Sequence, residues 1–194
     1  MGFSDITVLL SHLLAETGVQ SIHGQMPYTF DEATPESLES LKIALFGGEL
    51  IYQAESTFEN RSGTAEGVLI GGNLTLLVMM QGSASEIDYT DKILFIEDVG
   101  EHEYSVDRMM RMLKRAGKLA KLKGLIVGAF NEIAPEKIPF GATPEQVIWD
   151  VVKEYDYPVC FNFPMGHIDD NRAMIVGKRV KFLVKAQTTT LSFQ

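Results

Sequence analysis

Lys92-Ile93-Leu94-Phe95-Ile96-Glu97-Asp98 is the stretch from which the rest of this sequence is best read. Its apolar run, closed abruptly by two acids, predicts a buried strand. Downstream, Val106, Met109, Met110, Leu113 and Gly117 recur at three- and four-residue spacing, which predicts an amphipathic helix over Val106 to Leu122. Gly124 to Phe130 then predicts a second buried strand.

On the C-terminal side, Thr143-Pro144-Glu145-Gln146 is a capping box with proline at the first helical position, opening a helix through Tyr155. Pro158 to Phe163 predicts another strand. Alternating Val180, Phe182 and Val184 predict antiparallel strands in the tail from Arg172 to Gln194. On the N-terminal side, residues 5–17 predict a helix stopped at Gly18, and Gln20 to Met26 a short extended segment. Thr34-Pro35-Glu36 starts a helix that ends at Gly47-Gly48. Glu49 to Thr57 alternates weakly, as a strand would. Residues 59–66 are polar and read as a loop, followed by Gly67-Val68-Leu69-Ile70. Gly71-Gly72 reads as a tight turn before an apolar helical run from Leu74 to Met80. Helices alternating with buried strands, ahead of a β-rich tail, predict a mixed α/β fold.

The 194 residues are 45% hydrophobic and 22% charged, which suits one or two small domains with a real core. A net charge of −9 argues against a nucleic-acid or anionic-membrane partner. The cationic cluster from Arg108 to Lys123 reads as a solvated helix face. Cys160, the only cysteine, sits in an apolar strand and reads as a buried structural thiol in a reducing, cytoplasmic compartment. No apolar run is long enough to cross a bilayer. His12, His23, His102 and His167 lack metal-ligand spacing, so neither zinc nor another cofactor is expected.

Three residues stand out for chemistry. Ser4, in Gly2-Phe3-Ser4-Asp5, precedes a helix; it is either an ordinary N-cap or a nucleophile on a sharp turn. Glu97 closes the buried strand, where acids start loops but where α/β proteins also gather functional groups. Glu101 and Glu103 rival it but read as solvated. His167 lies in a loop after the strand Pro158 to Phe163, as a polar loop residue or as a base. The order serine, acid, histidine is that of the α/β-hydrolases. A serine nucleophile needs such a base, and the base needs such an acid.

Gly2-Phe3-Ser4-Asp5-Ile6-Thr7, His23-Gly24, Gly71-Gly72-Asn73-Leu74 and Leu94 to Glu101 together resemble the LD-carboxypeptidases, the serine peptidase class that includes microcin C self-immunity proteins. Asp107-Arg108-Met109, Gly166-His167, Asn171 and Gly177 extend the likeness, which runs in order from residue 2 to about residue 185. The resemblance implies Ser4 as nucleophile, Glu97 as orienting acid and His167 as general base. The Asp5 backbone N–H would then be one oxyanion donor. It implies metal-free release of terminal D-alanine from murein tetrapeptide in cytoplasmic cell-wall recycling, often by a homodimer. It also implies a flavodoxin-like N-terminal domain joined to a swivelling β/β/α domain. On that pattern residues 1–30 are a remnant of the first domain, 31–58 a linker and 59–194 the C-terminal domain. The expectation is a truncated chain with weakened activity, since a nucleophile needs packed support to hold its geometry. The alternatives are a non-catalytic remnant that associates through exposed leucines of residues 5–17, or an immunity-type peptidase. Arg61, Arg172 and Lys178 are available for substrate carboxylates, with nothing to select among them.

Overall fold

The computed structural model describes residues 1–133 and 139–194. Its helices are α1 (Thr7–Thr17), α2 (Pro35–Phe46), α3 (Leu74–Met79), α4 (Glu103–Arg115) and α5 (Pro144–Val152). Its strands are β1 (Ser21–His23), β2 (Ile51–Glu55), β3 (Gly63–Asn73), β4 (Lys92–Val99), β5 (Gly124–Asn131), β6 (Val159–Cys160), β7 (Met174–Val176), β8 (Arg179–Val184) and β9 (Thr188–Phe193). One mixed sheet runs in the order β2-β9-β8-β3-β4-β5-β6, and β1 pairs separately with β7. From β3 to β6 the neighbours are parallel; from β2 to β3 they are antiparallel.

Successive side chains on β4 point to opposite faces and divide the core in two. Leu94 and Ile96 pack with Met110, Leu113, Val147 and Ile148 beneath the helices. Ile93 and Phe95 pack with Met165, Met174, Val180 and Phe182 on the other face. Full burial of a side chain of this size contributes about 1.5–3 kcal/mol, so these layers hold the sheet rigid beneath the site. The expected caps form: Thr34 accepts from the Ser37 N–H at 3.2 Å, and Thr143 exchanges hydrogen bonds with Gln146.

Several boundaries differ from expectation. The polar residues 63–66 are strand, because Thr64 and Glu66 occupy an exposed face while the backbone pairs with β8. Gly71-Gly72 is no turn. Both lie in β3, opposite Phe95 and Ile96, and a Cβ on Gly72 would sit 2.6 Å from Thr7 of α1. Helix α4 stops at Arg115, short of Leu122, because Gly117 takes a left-handed φ of 70° and a 3₁₀ turn follows at Leu119–Lys121. Helix α5 ends at Val152 rather than Tyr155, and β6 spans two residues, with Asn162 left-handed just beyond it. Leu9 and Leu13 of α1 are 58% and 41% exposed. Among the described residues, no helix is long and apolar enough to cross a membrane.

Candidate active site

Parallel β3, β4 and β5 end side by side in Asn73, Val99 and Asn131, and the carboxyl ends of such strands are where α/β folds collect chemistry. The N-terminus is drawn to the same place. Gly2 donates to the Ile22 carbonyl at 3.0 Å and accepts from the Gly24 N–H at 3.2 Å, a parallel bridge to His23. The chain then turns sharply. Ser4 has φ 59°, a left-handed conformation costing a non-glycine residue roughly 1–3 kcal/mol, and a 3₁₀ turn (Ser4–Ile6) runs straight into α1. Neither start, at Phe3 or at Ile6, carries a side-chain cap, so Ser4 is not the N-cap that its position suggested. Asp5 lies within this first turn, where backbone N–H groups lack intrahelical partners. Thr7, fully buried, accepts from the Asn73 N–H at 3.1 Å and ties the serine turn to β3.

Glu97 continues the Ile93–Phe95 row, so strand parity sends it to the face that carries β1 and β7. It is fully buried. The β4–β5 register slips beside it: Ile96 pairs with Val127 but Asp98 with Phe130, leaving Gly128 and Ala129 opposite Glu97. Such bulges re-aim side chains next to active sites. Asp98 points the other way, accepting from the Asn73 side chain at 2.8 Å and the Thr75 N–H at 2.9 Å, where it anchors the start of α3. Burial outweighs those bonds and raises the Asp98 pKa.

His167 comes from the loop after β6 and is held along its backbone. The Ala129 N–H donates to the Met165 carbonyl at 2.9 Å. The Gly166 N–H donates to buried Asn171 at 3.0 Å, and the Asn131 side chain donates to the His167 carbonyl at 2.7 Å. The ring stands edge-on to Phe3, centroids 4.8 Å apart, which brings it beside the residue preceding Ser4. Its Nδ1 lies 2.7 Å from Glu97 Oε2.

Burial alone would raise the Glu97 carboxyl, but hydrogen bonding to His167 and the charge of the neighbouring imidazoles hold it down at about 2. Burial opposes a charge on His167, yet Glu97 beside it, with Asp98 and Glu132 farther off, raises its pKa. An ionised carboxylate only accepts, so a neutral His167 carries its proton on Nδ1 and leaves Nε2 unprotonated.

A cavity of about 240 Å³ opens at His167, with Phe3, Gln25, Thr29 and Ile168 in its wall and Glu32, Glu132 and Asp169 at its rim. Larger concavities lie over β2 and β9 and beside α4, away from these groups, and chemistry rather than size identifies the site. Gln25, unremarked in the sequence, is buried and donates to the Asp169 carbonyl at 3.0 Å. Arg61 instead binds the Val152 and Lys153 carbonyls, Arg172 pairs with Asp170, and Lys178 sits in the β7–β8 turn; none lines the cavity. Glu101 accepts from Thr75 at 3.4 Å, and Glu103 opens α4. Cys160 is buried, its thiol pushed up to about 12, as an inert core residue.

Residues 66–182 match the sequence model of the LD-carboxypeptidase C-terminal domain. The chain belongs to the LD-carboxypeptidase family. Relatives of this chain include a probable murein peptide carboxypeptidase of Bacillus subtilis, 34% identical over 98% of this chain and 61% of that protein. A murein tetrapeptide carboxypeptidase of Pseudomonas aeruginosa is 30% identical over 92% of this chain and 60% of its own. The chain spans about three fifths of the length of these relatives. Among solved structures, a muramoyltetrapeptide carboxypeptidase from Oxalobacter formigenes superposes with a TM-score of 0.89 at 31% identity, covering 99% of this chain and 66% of that one. The microcin C7 self-immunity protein MccF, at 23% identity and a TM-score of 0.84, covers all of this chain and 67% of its own and shares the fold.

In the sequence His23 figures only among four histidines without metal-ligand spacing and in the family likeness. It is fully buried, with Nε2 3.7 Å from Glu97 Oε1. A lone histidine in a short strand carries no spacing signal. Only the folded chain brings it to the acid.

Proposed function

We propose that this chain carries the serine-type centre of a carboxypeptidase that releases the terminal D-alanine of murein tetrapeptide, in cytoplasmic cell-wall recycling. The observation behind this reading is the pairing of buried Glu97 with half-buried His167, 2.7 Å apart, standing against Phe3 beside the strained Ser4 turn. The names of the relatives at 30–34% identity support the substrate class. In the proposed reaction, His167 Nε2 takes the Ser4 Oγ proton as that oxygen attacks the carbonyl carbon of the L-to-D amide. The Asp5 N–H stabilises the oxyanion. The tetrahedral species collapses as His167 gives the proton to the departing D-alanine nitrogen. Water, deprotonated by the same imidazole, then hydrolyses the Ser4 ester. Throughout, Glu97 stays ionised and steadies the imidazolium. Atoms balance with water as the only co-reactant. Within this reading residues 1–30 supply the nucleophile and 59–194 the acid and base, as in a flavodoxin-like unit joined to a swivelling one.

The decisive experiment follows D-alanine release from a murein tetrapeptide by mass spectrometry. Activity in the wild type and none in Ser4→Ala is the expected outcome. Equal release by both proteins would remove Ser4 from the reaction. A second reading, an association module or homodimer, draws on exposed Leu9 and Leu13. Sedimentation giving a monomer, with no hydrophobic-dye binding, would discard it.

A further inference from the structure

The Glu97 carboxylate has two oxygens, and the triad accounts for only one. Oε2 takes the His167 Nδ1–H at 2.7 Å, whereas Oε1 is buried with no hydrogen-bond partner among the described residues. Facing it at 3.7 Å is His23 Nε2. Both ring nitrogens of His23 are likewise buried and unpartnered among the described residues. Apolar surfaces surround the imidazole: Phe95 is edge-on at 5.2 Å and Phe3 at 6.2 Å. Unmet buried polar atoms destabilise a fold, and a donor left beside an unmet carboxylate oxygen has one obvious remedy. A shift of under 1 Å would bring the two into charge-assisted hydrogen-bond range.

The backbone is arranged to hold His23 at that spot. On one edge its strand pairs with β7, His23 opposite Met174. On the other it bridges Gly2, two residues before Ser4. The same short strand therefore registers the serine turn and presents an imidazole to the acid.

We propose that His23 is a positioning residue of this centre: its Nε2–H donates to Glu97 Oε1, fixing the carboxylate from the side opposite His167. The titratable groups around this cluster are Glu97 and Asp98 from β4, His167 from its loop and Glu132 beyond β5. A donor on Oε1 stabilises the ionised carboxylate with a neutral His167 more than it stabilises the proton-loaded pair. Removing it makes proton uptake by the pair easier, so the apparent pKa of His167 rises. It also frees the carboxylate to rotate, which lowers kcat more than it changes KM.

The kinetic arm rests on the serine-peptidase reading; the spectroscopic arm does not. Side-chain ¹⁵N NMR of the intact chain reads the tautomer of His23 and the titration of His167 without substrate. The expected result is an Nε2–H tautomer at His23. His23→Phe keeps an aromatic ring between Phe3 and Phe95 but has no donor. It is expected to move the His167 titration up by about half a pH unit or more and to lower kcat about tenfold to a hundredfold, with KM nearly unchanged. His23→Gln places an amide N–H near the Nε2 position and is expected to restore most of both. An Nδ1–H tautomer in the wild type overturns the proposal, whatever the variants do. So does a folded His23→Phe protein with unaltered titration and kcat. A wild type with no peptidase activity but the expected tautomer and titration shift would instead count against the peptidase reading alone.

Discussion

Glu97 accepts from His167 and is flanked by His23, so an amide in its place changes hydrogen-bond direction as well as charge. Glu97→Gln can donate to His167 Nδ1 and favour the tautomer with its proton on Nε2, where the proposed reaction needs a base. A fall in kcat of roughly 10³- to 10⁴-fold with little change in KM is expected, measured with a murein tetrapeptide. The pH dependence has a definite sign. In the proposed reaction His167 must be unprotonated to act, and its pKa is raised above the ordinary 6.5 chiefly because Glu97 outweighs the opposing effect of burial. The acid limb of kcat/KM is therefore expected to have its midpoint above that value, and to move down in Glu97→Gln. At this scale Ser4, Glu97 and His167 could be nominated from their junction positions and their order. His23 could not, because its importance is a distance to a residue 74 positions away.

At the scale of elements, the site depends on close approaches of backbone to side chain. Gly166 has φ +108°, and a Cβ there would stand 2.8 Å from Glu97 Cβ and 3.0 Å from its Oε2. Gly166→Ala is expected to cost about 2 kcal/mol or more by denaturant unfolding, combining backbone strain with the clash. It should also lower kcat, because the same collision drives Glu97 from His167. Thr143→Ala is the contrasting case. Losing that helix cap should cost about 1 kcal/mol while leaving kcat alone, since α5 contributes nothing to the cavity. The caps of α2 and α5 were legible because capping is local chemistry. The extent of β3 was not: its first residues are polar, and only pairing with β8 makes them strand.

For the whole molecule, the Glu97–His167 pair ties stability to pH. The Glu97 pKa is depressed to about 2 from 4.5, so its contribution is complete above 4.5 and lost as pH falls through about 2. The His167 pKa is raised, so its contribution is complete below 6.5 and fades as pH rises through its folded value. The difference in melting temperature between wild type and Glu97→Gln is expected to be widest between about pH 4.5 and 6.5 and to narrow toward pH 2. Comparing the two proteins by calorimetry removes the general effect of the −9 net charge. A constant difference across that range would mean that the pair is not coupled to folding.

By itself, the sequence determined most of the strand and helix segments, though not the full extent of β3, through hydrophobic period, cap and glycine, and it carried the family likeness that runs from residue 2 to about residue 185. Those signals are local, or are short motifs preserved in order along the chain. The tertiary structure alone decided that Ser4 sits in a left-handed turn instead of capping a helix, that Glu97 and Asp98 serve opposite faces, and that His23 stands across the carboxylate from His167. Each of these depends on strand pairing between residues far apart in the chain, and no local pattern of side chains encodes such a distance.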